Sequence, residues 1–174
     1  MLATVGNNAS GLMTYATDFR LDQVPDFTEF TDMYDQYSIR KVVVRMIPYF
    51  TGNNTLPSTA GLGLAPVYSV IDLDDASAAT STLTLRQFST CRSHLAHRPV
   101  VRVIRPRAQT MFYNGVSSTA YGLASANQVF DINNPSVPHY AFKAACQLPN
   151  VTVANWMAWN IEIVTGKQIG RAHV

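Results

Sequence analysis

Apolar and polar residues alternate in several short runs of this chain, a pattern that predicts β-strands joined by loops. An early run covers residues 13–21, where Tyr15 and Phe19 fall on one face of the predicted strand. A longer β-branched run covers residues 37–50. It includes Pro48, which has no N–H to donate and is expected to stop regular pairing. Further strands are predicted over residues 66–73, 100–104, 109–113, 129–132, 140–145 and 155–165.

Two stretches have helical spacing instead. Phe27, Phe30 and Tyr34 recur three and four residues apart, which predicts a short helix or turn before the long strand. Residues 82–88 are predicted as another helical turn. About eight strands with long connections favour an all-β, eight-stranded antiparallel jelly-roll sandwich with short helical turns in its loops. An immunoglobulin-like sandwich and a cupin-type roll are the alternatives, although the Cys…Trp…Cys spacing of true immunoglobulin domains is absent.

Length and composition are those of one domain with a sizeable core. The chain has 174 residues, of which 47% are hydrophobic and 14% charged, and the charged fraction is well below the ~25% of ordinary soluble proteins. Either the polar surface consists of Ser, Thr and Asn loops, or much of the exterior meets other protein. No apolar run is long enough to cross a membrane and no signal peptide is present, so we expect no membrane insertion. We expect both cysteines, Cys91 and Cys146, to be free thiols.

Charge is unevenly distributed along the chain, although the net charge is only +2. Residues 1–35 hold six acids and one base, whereas residues 86–107 hold six arginines and no acid. Arginine forms bidentate pairs with phosphate, so this basic stretch predicts contact with single-stranded nucleic acid. The alternative is that several arginines pair with the acidic segment 18–35 of the same or a neighbouring chain. The candidate nucleic-acid-binding residues are Arg86, Arg92, Arg98, Arg102, Arg105 and Arg107.

Other motifs give little indication of metal binding or catalysis. Cys91, His94 and His97 form a C-x2-H-x2-H cluster, but no second ligand pair of zinc-finger spacing follows. His139, between a proline and a tyrosine, is expected to fix the start of a strand through a hydrogen bond, because no nucleophile motif accompanies it. We therefore expect no enzyme activity, no cofactor and no metal site.

Two segments resemble capsid proteins of circovirus-like viruses, whose genomes are small circular single-stranded DNA. The first has the pattern F-x-E-F-x-x-x-Y-D-x-Y-x-I-x-x-V-x-V. It is matched by Phe27, Glu29, Phe30, Tyr34, Asp35, Tyr37, Ile39, Val42 and Val44. The second resembles the family's VPHYGLK segment and is matched by Val137, Pro138, His139, Tyr140 and Lys143. The two segments stand in the family's order, and the resemblance extends roughly over residues 11–164.

The resemblance implies a capsid structural protein that assembles with itself into a T=1 icosahedral shell packaging circular single-stranded DNA. It also implies a place in the virion, assembly in the host nucleus and a host-cell receptor of unknown identity. The alternatives are a jelly-roll module that binds carbohydrate or protein and, third, a cupin-like metalloenzyme. Aromatic side chains in loops and at strand ends are the candidate subunit contacts: Phe27, Tyr34, Tyr113, Tyr121 and Trp156.

Both ends of the chain depart from the family's pattern. Capsid proteins of this type usually begin with an arginine-rich arm, whereas the first basic residue here is Arg20. Either Met1 is an internal methionine of a longer protein or this member lacks the arm. Residues 169–174, IGRAHV, resemble the translation of a common sequencing-library adapter. We therefore expect a single jelly-roll domain over residues 1–168 and a non-native tail over 169–174, the alternative being a genuine tail.

Overall fold

The computed structural model describes residues 2–50, 65–112, 120–123, 128–148 and 157–172. Short helices interrupt a chain made mostly of strands: a 3-10 helix at Leu21–Gln23, α1 at Phe27–Thr31 and α2 at Thr82–Arg86. The strands are β1 (Leu2–Gly6), β2 (Leu12–Phe19), β3 (Tyr34–Phe50), β4 (Pro66–Val70), β5 (Arg92–Leu95), β6 (Val100–Ile104), β7 (Arg107–Phe112), β8 (Ala120–Leu123), β9 (Phe130–Asp131), β10 (His139–Gln147) and β11 (Met157–Ala172).

The strands form two antiparallel sheets. The first has the order β1-β11-β3-β6, with β9 also paired to β3. The second has the order β5-β4-β10-β7-β8, with β2 also paired to β10. Pairing of distant strands, such as β1 with β11 and β2 with β10, is the jelly-roll arrangement and confirms the predicted fold. The predicted number of strands is not confirmed, because the described residues contain eleven, with β7, β8 and β9 lying between β6 and β10.

One core fills the space between the two sheets. Trp159 of β11 and Val44 of β3 meet side chains of the opposite sheet such as Phe142 of β10 and Met13 of β2, and each is at most 1% exposed. These residues alternate with half-buried or exposed positions over residues 42–47 of β3 and 159–164 of β11, so the predicted alternation is present in these parts of the two runs. The first sheet therefore has one core face and one outward face.

The prediction that Pro48 ends regular pairing is wrong. Pro48 lies inside β3 and is paired with Trp159 of β11. A proline is tolerated where its missing N–H would face an open edge. Among the described residues, β6 pairs with β3 only as far as Met46, so beyond this point β3 has a described neighbour on one side only.

The helix before β3 is shorter than the aromatic spacing predicts. It ends at Thr31, and Tyr34 already begins β3. At the other end of the chain, β11 continues through Ile169 to Ala172, paired with Tyr37 to Tyr34 of β3. This pairing does not test the origin of residues 169–174, which stays a prediction. No helix among the described residues is long and apolar enough to cross a membrane.

Candidate nucleic-acid and subunit interfaces

Arg102, one of the six predicted nucleic-acid contacts, is buried in the structure. The residue is 4% exposed and lies on the core face of β6 between Val100 and Ile104. One guanidinium nitrogen donates to Ser69 Oγ at 3.1 Å and the other to the Thr90 carbonyl at 3.1 Å. Burial lowers the pKa of Arg102, and nearby Arg92 lowers it further. Arg102 thus ties the edges of the two sheets together.

The other five predicted arginines are distributed over several surfaces. Arg92 is exposed in β5, and Arg98 is exposed in the turn between β5 and β6. Arg86 ends α2 with its guanidinium 5.7 Å from the centre of the Tyr68 ring. Arg105 is exposed directly after β6, and Arg107 is half-buried at the start of β7. The sequence cluster therefore does not become one basic patch.

The outward face of the first sheet carries cations that the sequence analysis missed. Lys41 and Arg45 of β3 are exposed, because they alternate with core residues such as Val44. The same alternation in β6 puts Arg105 on this side. Arg45 lies 3.9 Å from Glu162 of β11, both side chains being partly solvent-exposed. The signal available in the sequence was the position of each base within an alternating run.

Large apolar side chains surround these cations on the outward face. Val101 and Val103 of β6 are 51% and 58% exposed, and Tyr49 of β3 is 52% exposed. Val164 of β11 is also exposed. Exposed apolar groups concentrated on one sheet face are typical of a surface that is covered by a partner.

Acidic residues gather at the opposite end of β3. Asp26, Glu29 and Asp32 are exposed on α1 and its flanking residues, which we call the acidic end. Met33, next to Asp32, is 49% exposed. The ion pairs that the described residues form use other side chains: Arg20 with Asp18, Arg45 with Glu162, and Lys143 with Asp72 and Asp75.

The structure describes only some of the aromatic residues that were predicted as subunit contacts. Phe27 and Tyr34 are half-buried and pack against the main core, so each has one side available at most. Tyr121 lies in β8, but its side chain is outside the described part of the structure. Tyr113 and Trp156 lie outside the described residues. The role of all five as subunit contacts stays a prediction.

His139 has the structural position expected for it. It begins β10, and its Nδ1 lies 2.9 Å from the carbonyl oxygen of Val137. The ring packs edge-on against Phe130 at 5.1 Å and lies near Tyr37, whose hydroxyl donates to the carbonyl of Asn134 at 2.9 Å. Burial lowers the pKa of His139 and outweighs its backbone hydrogen bonds, which raise it. A neutral ring therefore fixes the start of β10.

Lys143, four residues after His139, lies under the segment that follows β4. Its ammonium is 2.8 Å from Asp72 Oδ2, in a pair whose side chains are both 8% exposed, and it also bonds Asp75. Burial alone would lower the pKa of Lys143, but the hydrogen bonds to the two carboxylates outweigh it and raise the pKa. For Asp75, burial acts to raise the pKa, but the hydrogen bonds from Lys143 and Ser77, together with the charge of Lys143, outweigh burial and lower the pKa. Lys143, which belongs to the second motif, thus holds residues 71–77 against β10 through its bonds to Asp72 and Asp75.

The two cysteines are free thiols, as expected. Burial raises the pKa of the Cys146 thiol to about 12. Cys91 is half-buried beside β5, and His94 of that strand is half-buried as well. Within the part of the chain that the structure describes, no group of three metal-ligating side chains occurs.

Comparison of the sequence with protein families gives a match to the family described as circovirus capsid protein, over residues 2–165. This range covers almost the whole chain and contains both motifs that carry the resemblance. No curated protein matches the sequence.

Several solved capsid structures share the fold. The 60-mer BFDV capsid protein aligns over 97% of this chain and 88% of its own, with a TM-score of 0.68 and 14% identity. The decameric BFDV capsid protein aligns over 98% and 94%, with a TM-score of 0.54 and 15% identity. A T=1 subviral particle of a Penaeus vannamei nodavirus capsid deletion mutant aligns over 99% and 94%, with a TM-score of 0.51 and 8% identity. Identities this low concern the fold alone.

Proposed function

This chain belongs to the circovirus capsid protein family, and from that membership we propose that its copies assemble into a small T=1 icosahedral shell around circular single-stranded DNA. The family makes the chain a structural protein of the virion. The single observation that carries the proposal is the family match over residues 2–165 on a jelly-roll fold. Closed shells use contacts around several symmetry axes, so much of each subunit's surface becomes interface. A charged fraction of 14% fits such a surface.

The outward face of the first sheet is the surface that we propose for the genome. Lys41, Arg45 and Arg105 supply positive charge there, and exposed Tyr49 supplies a ring on which a base can stack. Binding of single strands without sequence preference needs these two elements, a basic surface and aromatic faces. Arg107, half-buried at the start of β7, is a further candidate contact. Arg102 is left out of the proposal because internal carbonyl and hydroxyl groups hold its guanidinium.

Particle formation is the test of the proposed function. The purified chain is expected to form closed particles of uniform diameter, with single-stranded DNA increasing their yield. Light scattering combined with negative-stain imaging measures both, with and without DNA. A chain that stays monomeric at all concentrations, with and without DNA, would contradict the assembly proposal.

Removing two positive charges from the outward face is expected to weaken binding of single-stranded DNA. In Lys41→Gln/Arg105→Gln the slope of log affinity against log salt concentration should become shallower by about 0.7 for each lost phosphate contact. Fluorescence anisotropy of a labelled oligonucleotide at several salt concentrations measures the slope on unassembled chain.

The matched control is Arg92→Gln/Arg98→Gln, which removes the same charge from a different surface. We expect its salt slope to stay close to that of the wild type. Equal losses in both pairs would show that net charge alone governs binding, and the outward face would lose its assignment.

Assembly in the host nucleus is the proposal for where the shell forms, and it rests on the family resemblance. Immunofluorescence of the expressed chain in host cells tests it, together with electron microscopy of nuclear and cytoplasmic fractions. Particles confined to the cytoplasmic fraction would exclude nuclear assembly.

A further inference from the structure

The outer edge of β5 is an exposed sheet edge with a basic character. β5 pairs with β4 on one side, and no described strand pairs with its other side. Arg92 within the strand and Arg98 in the following turn are exposed, and Leu95 between them is 36% exposed. We call these three residues the basic edge. Proteins normally cover such an edge or block it with charge, because its unpaired backbone groups can recruit another chain.

The acidic end has the complementary composition. Asp26, Glu29 and Asp32 are exposed and precede exposed Met33 within the same short segment of the chain. Each of the two surfaces thus combines an exposed apolar side chain with charges of one sign, and the charges of the two surfaces are opposite in sign. An apolar centre with a polar rim is the usual composition of a protein–protein contact.

The two surfaces connect to β3 at different points along the strand. α1 precedes Tyr34 at the start of β3, whereas Val100, two residues after Arg98, pairs with Met46 far along that strand. Twelve residues separate Tyr34 from Met46, and at about 3.3 Å per residue they span roughly 40 Å. The ion pairs formed within the described residues use neither the acidic end nor the basic edge.

We propose that the acidic end of one copy docks on the basic edge of a neighbouring copy. The inference rests on the proposed shell function, and it names one of the contacts that would hold the shell together. Because the two surfaces differ, the contact is head-to-tail, the type that closes into rings when the rotation between copies permits. Met33 and Leu95 would supply its apolar centre, and the three acids and two arginines its charged rim.

Charge exchange between the two surfaces tests this contact. Glu29→Lys/Asp32→Lys places like charges opposite the basic edge, and Arg92→Glu/Arg98→Glu places like charges opposite the acidic end. Each double variant should raise the protein concentration needed for assembly by about tenfold or more, because like charges that face each other across a contact repel. The chain that carries all four substitutions again has opposite charges on the two surfaces of each contact. The protein concentration that it needs for assembly should be within about threefold of the wild-type value. Sedimentation velocity without nucleic acid measures assembly.

The four-fold variant has the wild-type net charge, so it also controls for general repulsion between subunits. Thermal unfolding of each unassembled chain verifies folding; if a reversed chain does not fold, Glu29→Gln/Asp32→Asn and Arg92→Gln/Arg98→Gln replace it. Double variants that assemble like the wild type, or a four-fold variant no better than they are, overturn the contact and leave the proposed function intact. A wild-type chain that stays monomeric at all concentrations, with and without single-stranded DNA, overturns both.

Discussion

Replacing Arg102 with glutamate is expected to remove a large part of the stability of the domain. The substitution puts a carboxylate among acceptors, since the present side chain donates to Ser69 Oγ and to the Thr90 carbonyl. An uncompensated buried charge costs about 3–5 kcal/mol, against a total of about 5–15 kcal/mol for an ordinary domain. Thermal and urea unfolding of the unassembled chain measure the loss.

Two variants separate this effect from general loss of positive charge. Arg98→Glu makes the same change at an exposed position, and its stability should stay within about 0.5 kcal/mol of the wild type. Arg102→Met keeps a long side chain without a charge and should be less damaging than glutamate, because it leaves only unpaired acceptors. If the Arg102→Glu and Arg98→Glu variants were equally stable, the guanidinium of Arg102 would have to reach solvent in the folded wild-type chain.

The burial of Arg102 has a physical cause that the sequence does not reveal. In β6 the order is Val100, Val101, Arg102, Val103, Ile104, so apolar residues occupy both faces of the strand. Alternation normally identifies the buried face by its apolar side chains, and here both faces qualify. The partner strands decide which face is inside: β6 packs its even-numbered positions against the second sheet, and the arginine is carried inward with them.

The strands that could be predicted are those whose alternation is set by a single core. β3 and β11 lie centrally in the first sheet, and each has a clear buried stripe, such as Trp159, Ile161 and Ile163. β5 was not predicted, because it lies at a sheet edge, where three of its four residues are exposed and no alternation develops. Edge strands receive their conformation from pairing with a neighbour, which a sequence pattern does not contain.

The sequence predicts the sign of the charge on each candidate surface, but not where that surface lies in the fold. A sequence count correctly separates the acids of residues 1–35 from the arginines of residues 86–107. Jelly-roll topology then distributes those arginines over the basic edge, the outward face of the first sheet and the helix α2. It also adds Lys41 and Arg45 from a distant part of the sequence to Arg105. Which charges act together thus depends on strand order.

Replacing Lys143 with methionine is the second change for which we expect a large loss of stability. The ammonium neutralises Asp72, whose side chain is 8% exposed, and it bonds Asp75 as well. Leaving the buried carboxylate without its cation should cost about 3–5 kcal/mol near neutral pH. Asp72 also accepts the N–H of Asp74 at 3.0 Å, so the segment after β4 would loosen together with the ion pair. Urea unfolding of the unassembled chain measures the loss.

The pH dependence gives this prediction a specific form. In the wild type the Lys143–Asp75 pair is lost only as pH rises through the raised pKa of Lys143, above its ordinary 10.5, or falls through the lowered pKa of Asp75, below its ordinary 3.8. Its contribution is therefore constant between these limits. In Lys143→Met the buried carboxylate has no cation beside it and favours the protonated form, so the loss of stability should shrink as the pH falls below neutral.

A double variant identifies the unpaired carboxylate as the cause. Lys143→Met/Asp72→Asn removes the cation and the buried charge together, and the amide oxygen can still accept the N–H of Asp74. It should recover roughly half of the loss and show little of the pH dependence, since removing both members of a buried pair is less damaging than removing one. A double variant as unstable as Lys143→Met, with the same pH profile, would mean that packing of the lysine stem rather than neutralisation of Asp72 holds the segment.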